Sequence, residues 1–143
     1  MNNPEEMRLK LNAVALPVED LHQVADWYVT QLDMDTVQEN NHSVTLAGTN
    51  GFALELRHGK PLDHPERVHL LVYAENIDAM YERMNDAKLQ ALTSPHMTEH
   101  GRRVVTIQDP AGHTIEIFEL SEKDSTQDLS MYHKVEPGRV SGN

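Results

Sequence analysis

The sequence contains no cysteine, which removes disulfides, thiolate metal sites and cysteine nucleophiles and fits a reducing compartment. Aromatic residues are scarce, 5% of the chain with a single Trp, so few rings are on hand to stack against a flat ligand. Long apolar runs are missing too: none approaches the roughly 18 residues that a membrane-spanning helix needs. The opening stretch MNNPEEMRLK lacks the basic-then-apolar order of a secretory leader, and the cytoplasm is the expected location. Positive charge is in short supply, with 12 Lys and Arg against 23 Asp and Glu and a formal net charge of −11. Such a chain repels nucleic-acid phosphate and anionic membrane, so neither is expected as a partner. No GxSxG, P-loop, GxGxxG or HExxH pattern occurs, which leaves nucleophilic hydrolysis, phosphoryl transfer and dinucleotide binding without support.

What is present is alternation. From Gly101 to Leu120, GRRVVTIQDPAGHTIEIFEL reads as a β-hairpin: Arg102 to Gln108 and His113 to Leu120 are rich in β-branched residues. Between them, Asp109-Pro110-Ala111-Gly112 supplies a Pro that presets φ and a Gly that accepts φ > 0. Strand parity sends Ile115 and Ile117 to one face and Thr114, Glu116 and Phe118 to the other. Glu116 is thus an acid in the middle of an apolar strand. Taken by itself, such a residue is most often a solvated side chain on an open sheet face.

With 143 residues, the chain suits one domain or two fused half-size units. Met1 to Arg8 reads as a loose lead-in. Leu9 to Val18 reads as a strand, with Pro17 marking an edge or an end because it lacks a ladder donor. Leu21, Val24, Ala25, Tyr28 and Leu32 then fall at helical spacing, and Asp20 with Gln23 resembles a capping box. Thr36 to Glu39 and His42 to Ala47 are short strands joined by Asn40-Asn41, residues that tolerate positive φ. Phe52 to His58 is a further strand, with Ala53, Glu55 and Arg57 sharing a face.

Gly59 to Glu66, GKPLDHPE, is a polar linker with two prolines. A strand over Arg67 to Ala74 follows, with His69, Leu71 and Tyr73 on one face. Asn76 is a helix cap, and Ile77, Met80, Tyr81 and Met84 form an amphipathic stripe that reads as core. A weak strand at Leu89 to Leu92 and a loop at Thr93 to His100 lead into the hairpin. The order strand, helix, three strands has therefore occurred twice.

Sliding the chain along itself supports the repeat. A shift of 56 lays Val14–Leu21 on Leu70–Ile77 and Ala13 on His69, and ALEL at Ala53–Leu56 matches TIEI at Thr114–Ile117, so that Glu55 lies on Glu116. The expected fold is α+β: two tandem βαβββ modules, residues 9–58 and 67–120, forming a cup-shaped mixed sheet with helices on the outer face.

This pattern resembles the vicinal oxygen chelate superfamily, which includes glyoxalase I, extradiol dioxygenases and bleomycin-binding proteins. The likeness is carried by AVALPVEDLHQVADWY, by ALEL at Ala53–Leu56, by VHLLV at Val68–Val72 and by DPAGHTIEI at Asp109–Ile117. It covers a single domain, roughly Leu9 to Leu120. In metal-dependent members, similar positions on the first and last strands of each module supply His or Glu ligands to one divalent ion. Carried over residue by residue, the resemblance offers Glu55, His69 and Glu116 as metal ligands, whereas Ala13 stands where a His would be expected. It implies Mn, Mg, Ni or Zn, with the loss of a nitrogen ligand favouring the oxygen-loving metals.

Two functions follow from the resemblance. One is a metal-dependent lyase or isomerase acting on a small substrate with adjacent oxygens, by proton abstraction and enolate stabilisation, with Glu55 or Glu116 as base. The other is a metal-free protein of the bleomycin-resistance type that holds a drug or metabolite. By strand parity the pocket would be lined by Thr45, Tyr73, Val104, Thr106 and Phe118, with Arg57 beside Glu55. Arg57 with Glu55, or Arg102 with Glu116, are alternatives to metal as ordinary ion pairs. His96 and His100 lie in a loop able to reach the cup and stand in for the missing ligand, and most other histidines read as surface residues. The tail, residues 121–143, is polar, with Leu129, Met131 and Tyr132 as a small apolar cluster. Superfamily members often dimerise, which makes a homodimer the expected assembly.

Overall fold

The alternation that defines the strands also decides which way each faces. In the computed structural model, which describes residues 8–48, 52–86 and 91–119, the chain divides into two compact units. One comprises Met1–Pro65 with Asp109–Gly112, the other Glu66–Gln108 with His113–Asn143. Each is described by itself. Together they hold two four-stranded mixed sheets and two helices, the α+β architecture of tandem βαβββ modules.

In the first unit, β1 (Ala13–Val18), α1 (Leu21–Gln31), β2 (Asp35–Glu39), β3 (Ser43–Ala47) and β4 (Ala53–His58) form a sheet of order β1-β4-β3-β2. β1 runs parallel to β4 from Ala13 opposite Ala53 to Val18 opposite His58. Pro17 is tolerated because β1 lies at the edge of this sheet, with β4 its only neighbour among the described strands. The sequence reading began this strand at Leu9, but Leu9 and Leu11 are exposed and pairing starts at Ala13. One face, with Leu16, Val18, Val44, Leu46, Leu54 and Leu56, is buried, as are Leu21, Val24, Ala25 and Tyr28 of α1. Each such aliphatic side chain stabilises the fold by about 1.5–3 kcal/mol. Asp20 caps α1, its carboxylate accepting from the Gln23 amide at 3.3 Å.

The turn between β2 and β3 departs from expectation. Asn40 and Asn41 do not use positive φ; among the described residues Asp33 is the only non-glycine residue that does. Instead the Asn40 side chain accepts from the amides of His42 and Ser43 at 2.8 and 2.9 Å, an Asx-type turn that reverses the chain without left-handed backbone.

The second unit repeats the plan. β5 (His69–Tyr73), α2 (Ile77–Asp86), β6 (His96–Met97), β7 (Arg103–Gln108) and β8 (Thr114–Glu119) give the order β5-β8-β7-β6. The strand expected from Arg67 starts at His69, because Pro65–Arg67 is drawn into a short 3-10 turn. The stretch read as a loop at Thr93 to His100 contains β6, which pairs with β7 through His96 opposite Val104. Ala91 forms an isolated bridge to Ile107; Leu89 and Gln90 of the weak strand lie outside the described residues, as do Met1–Met7 of the lead-in and the apolar cluster of the tail. Val105, Ile107, Ile115 and Ile117 are buried on one face of this sheet, and Ile77 and Met84 of α2 are buried too. The helix is capped twice over: Asn76 accepts from the Ala79 amide at 3.0 Å, and the Glu119 carboxylate accepts from the Ile77 amide at 2.8 Å, satisfying donors that a helix start leaves open.

The tip of the hairpin, Asp109–Gly112, belongs with the first unit. Gly112 sits at φ 94°, the left-handed region its place in the turn demands. The Asp109 carboxylate accepts from the Ala111 amide at 2.9 Å and from the Tyr28 hydroxyl at 2.5 Å. Both side chains are buried, Tyr28 at 1% and Asp109 at 4% exposure. Burial first, and the adjacent carboxylate second, push the Tyr28 phenol far above its usual range. His113, grouped with mainly surface histidines on sequence grounds, is buried at 1% exposure. No helix among the described residues is long and apolar enough to cross a membrane.

Candidate functional site

The second sheet turns its isoleucines to one side and a mixed row of residues to the other. Register sets that row: His69 is opposite Thr114, Leu71 opposite Glu116 and Tyr73 opposite Phe118. On the other flank Val104 faces Phe118 and Thr106 faces Glu116. Directly opposed residues share a face, so His69, Leu71, Tyr73, Val104, Thr106, Glu116 and Phe118 stand on one surface. Leu71 is 63% exposed there.

On this surface lies a cavity of about 460 Å³ lined by Leu71, Thr98, His100, Arg102, Val104, Glu116 and Phe118. Its volume is in the range that holds small organic ligands. The floor is apolar, from Leu71, Val104 and Phe118. One wall is the tight turn from Thr98 to Arg102, closed by the Thr98 amide donating to the Arg102 carbonyl at 2.7 Å and by Gly101 at φ 82°. That turn carries His100 and Arg102. The Arg102 guanidinium lies 5.3 Å from the Phe118 ring centroid, a cation–π distance, and Tyr73 meets the same ring edge-on at 6.1 Å.

Glu116 stands elsewhere in the cavity lining. Its Oε2 is 2.7 Å from His69 Nδ1, a contact reached diagonally across the β5–β8 ladder. An ionised carboxylate only accepts, so Nδ1 is the donor in this pair. Both side chains are accessible, at 50% and 36%, and the pair adds little to stability.

The first unit holds the counterpart arrangement with a different outcome. Ala13 opposes Ala53 and Ala15 opposes Glu55, so Ala13 occupies with respect to Glu55 the diagonal that His69 occupies with respect to Glu116. A methyl group offers Glu55 nothing, and its Oε2 instead accepts from Arg57 Nε at 2.5 Å. Thr45 is directly opposite Glu55. Of the residues expected at the site, Thr45, Glu55 and Arg57 therefore share one face in the first unit. His69, Tyr73, Val104, Thr106, Glu116 and Phe118 share one in the second. Among the described residues no group of three or more His, Cys, Asp or Glu side chains is arranged to hold a metal ion.

A model of the glyoxalase/bleomycin resistance protein/dioxygenase superfamily matches residues 10–117. The chain belongs to this superfamily. Among solved structures that resemble this superfamily member, the antibiotic-binding protein TnmS3 from Streptomyces sp. CB03234 is 22% identical with a TM-score of 0.68, covering 80% of this chain and 98% of that one. Lactoylglutathione lyase from Agrobacterium tumefaciens is 19% identical with a TM-score of 0.65, covering 79% and 95%. The oxidase ChaP-H2 is 19% identical, also with a TM-score of 0.65, covering 80% and 96%. At these identities the likeness is one of fold, shared by a binder, a lyase and an oxidase. No protein of curated function matches the chain in sequence.

Sequence reasoning left Thr98 out of this lining, because it sits on an irregular turn where strand parity carries no information. Leu71 shares the His69–Tyr73 face and was open to detection by parity alone. Arg102 was considered only as an ion partner for Glu116, and its position over Phe118 depends on the turn that carries it. His100 lines the cavity and stands 3.6 Å from Glu99, whereas His96 is held at 3.0 Å from the Ser94 carbonyl.

Proposed function

We propose that this superfamily member binds a small organic molecule on the open face of its second unit and does so without a resident metal ion. The observation that carries the reading is the cavity itself: an apolar floor of Leu71, Val104 and Phe118 with a guanidinium and a carboxylate in its lining. The metal test turns on donor chemistry. Ala13 has no donor atom, the Glu55 carboxylate is engaged by the Arg57 guanidinium, and the His69–Glu116 pair supplies two donors where a tightly held divalent ion draws on three or more. This set does not fit the Mn, Mg, Ni or Zn expected from the resemblance, and no chemical step is assigned to an ion.

A lyase or isomerase is the second reading, and the His69–Glu116 contact favours it. A carboxylate that fixes one imidazole nitrogen as donor leaves the other able to take a proton from a bound substrate.

Protein exchanged into EDTA, then loaded separately with Mn, Mg, Ni or Zn, tests the first reading by elemental analysis and by thermal shift against a metabolite library. Stabilisation by a ligand in EDTA, with less than stoichiometric metal after loading, supports it. Stoichiometric metal that every stabilising ligand requires contradicts it. The expected homodimer and cytoplasmic location belong to the same proposal, and sedimentation of the full chain checks the first of these.

A further inference from the structure

The strand pattern of the first unit extends further than its sheet. Pairing of β1 begins at Ala13, yet the alternation continues backwards through Asn12, Leu11, Lys10, Leu9 and Arg8, with Leu9 and Leu11 on the parity of Ala13 and Ala15. These two leucines are 97% and 87% exposed. A single exposed leucine is ordinary. Two on one side of an arm with strand alternation, with the cations Arg8 and Lys10 on the other side, have the form of a strand without a partner. The arm is also basic in a chain whose formal net charge is −11.

A surface that answers this pattern lies on the second sheet. β5 has β8 as its only neighbour among the described strands, and the open edge of such a strand is a template for one more. Leu71 and Tyr73 are exposed there, at 63% and 42%, and have the same two-residue spacing as Leu9 and Leu11. Residues 8–12 equal the five residues of β5 in length. Just beyond the end of β5 stands Glu75, an exposed acid.

We infer that the arm of one copy adds as a strand to the open edge of β5 in a second copy; this rests on the homodimer proposed above. The two strands run antiparallel, with Leu11 beside Leu71 and Leu9 beside Tyr73, because that direction carries Arg8 to the Glu75 end of β5 and the parallel direction carries it away. Main-chain hydrogen bonds supply the attachment, and the apolar pairs fix its register. Reciprocal exchange about a two-fold axis closes the assembly at two chains. Since Leu71 lines the cavity, the arm of each copy gives the cavity of the other part of its rim.

Sedimentation of the full chain, wild type against Leu9→Glu/Leu11→Glu, tests the arm. The wild type is expected to dimerise and the variant to associate at least about tenfold more weakly, because both leucines lose their apolar cover. Circular dichroism confirms that the variant is folded. The chain has no cysteine, so introduced thiols report the register without background. Mild oxidation of Leu11→Cys mixed with Leu71→Cys, or of Leu9→Cys mixed with Tyr73→Cys, is expected to link the two chains. A monomeric wild type overturns the homodimer and the exchange with it. A dimer that the two glutamates leave intact overturns the exchange and leaves the homodimer standing. Links formed instead by Leu9→Cys with Leu71→Cys and by Leu11→Cys with Tyr73→Cys overturn the antiparallel register. A disulfide within single chains of a dilute Leu11→Cys/Leu71→Cys protein places the arm on its own chain and overturns the exchange. Ligand binding in EDTA is read separately and bears on metal-free binding alone.

Discussion

Replacing Tyr28 by Phe removes one hydroxyl from a buried site and leaves the aromatic packing in place. In the native protein that hydroxyl donates to Asp109 at 2.5 Å, and both groups are buried. Without it Asp109 keeps the Ala111 amide as a donor and loses its charge-assisted bond to the phenol, a loss of about 2 kcal/mol at neutral pH. For a chain of this size that lowers Tm by about 6–8 °C. The deficit has a pH dependence whose sign is fixed. The folded phenol is pushed upward, chiefly by burial and then by the Asp109 carboxylate, so below about pH 10 the folded and unfolded chains both keep this proton. Above it the unfolded chain releases a proton that the folded chain retains, and wild-type stability falls by about 1.4 kcal/mol per pH unit from this group. Tyr28→Phe has no such proton. The wild-type advantage is therefore full at pH 8 and vanishes near pH 11.5, since about 1.5 pH units at that slope remove about 2 kcal/mol. Urea unfolding followed by Trp27, whose ring packs edge-on to Tyr28 at 5.0 Å, measures both proteins across that range. Other titrating groups cancel in the difference. A gap that stays constant from pH 8 to 11.5, or a variant as stable as wild type at pH 8, refutes the reasoning.

Three further outcomes are expected. Gly112→Ala forces a side chain onto φ 94° and sets its Cβ 3.2 Å from Pro65 Cγ; a loss of about 1–2 kcal/mol in urea unfolding is expected, and no loss would mean the turn relaxes freely. Asp20→Ala, which removes the α1 cap at Gln23, costs about 1 kcal/mol and Asp20→Asn much less; equal losses would point to charge in place of capping. A double-mutant cycle on His69→Ala and Glu116→Gln gives a stability coupling below about 1 kcal/mol, because both side chains are accessible. A coupling several times larger would show that the pair is part of a desolvated core.

The parts of the fold that were legible in sequence are those written in local periodicity. Parity alone orients Ile115 and Ile117 against Glu116 and Phe118, and the self-comparison that laid Ala13 on His69 and Glu55 on Glu116 coincides with the register of the two parallel ladders. The α1 start was readable because Asp20 and Gln23 lie within one turn. What escaped depends on contacts that local pattern does not encode. Tyr28 meets Asp109 across 81 residues, and neither residue type advertises the other. β6 is two residues long, too short for alternation to register. Asn40 was assigned the right place and the wrong device, since its side-chain oxygen closes the turn through hydrogen bonds. His113 was misgrouped because an imidazole is as much at home in a core as on a surface. At the cavity, strand residues were legible and turn residues were not, as Val104 and Phe118 against Thr98 show. Glu55 pairs with Arg57 and Glu116 with His69, and the repeat differs at both partner positions, Ala13 against His69 and Arg57 against Phe118.

The most direct test of metal-free binding on the second sheet is amide NMR of 15N-labelled protein titrated in EDTA with a compound that stabilises it in the thermal-shift screen. Saturable shifts concentrated at Leu71, Arg102, Val104, Glu116 and Phe118, unchanged when Mg replaces EDTA, are the expected result. Shifts that develop only after a divalent ion is added, or that fall outside these residues altogether, contradict the central claim.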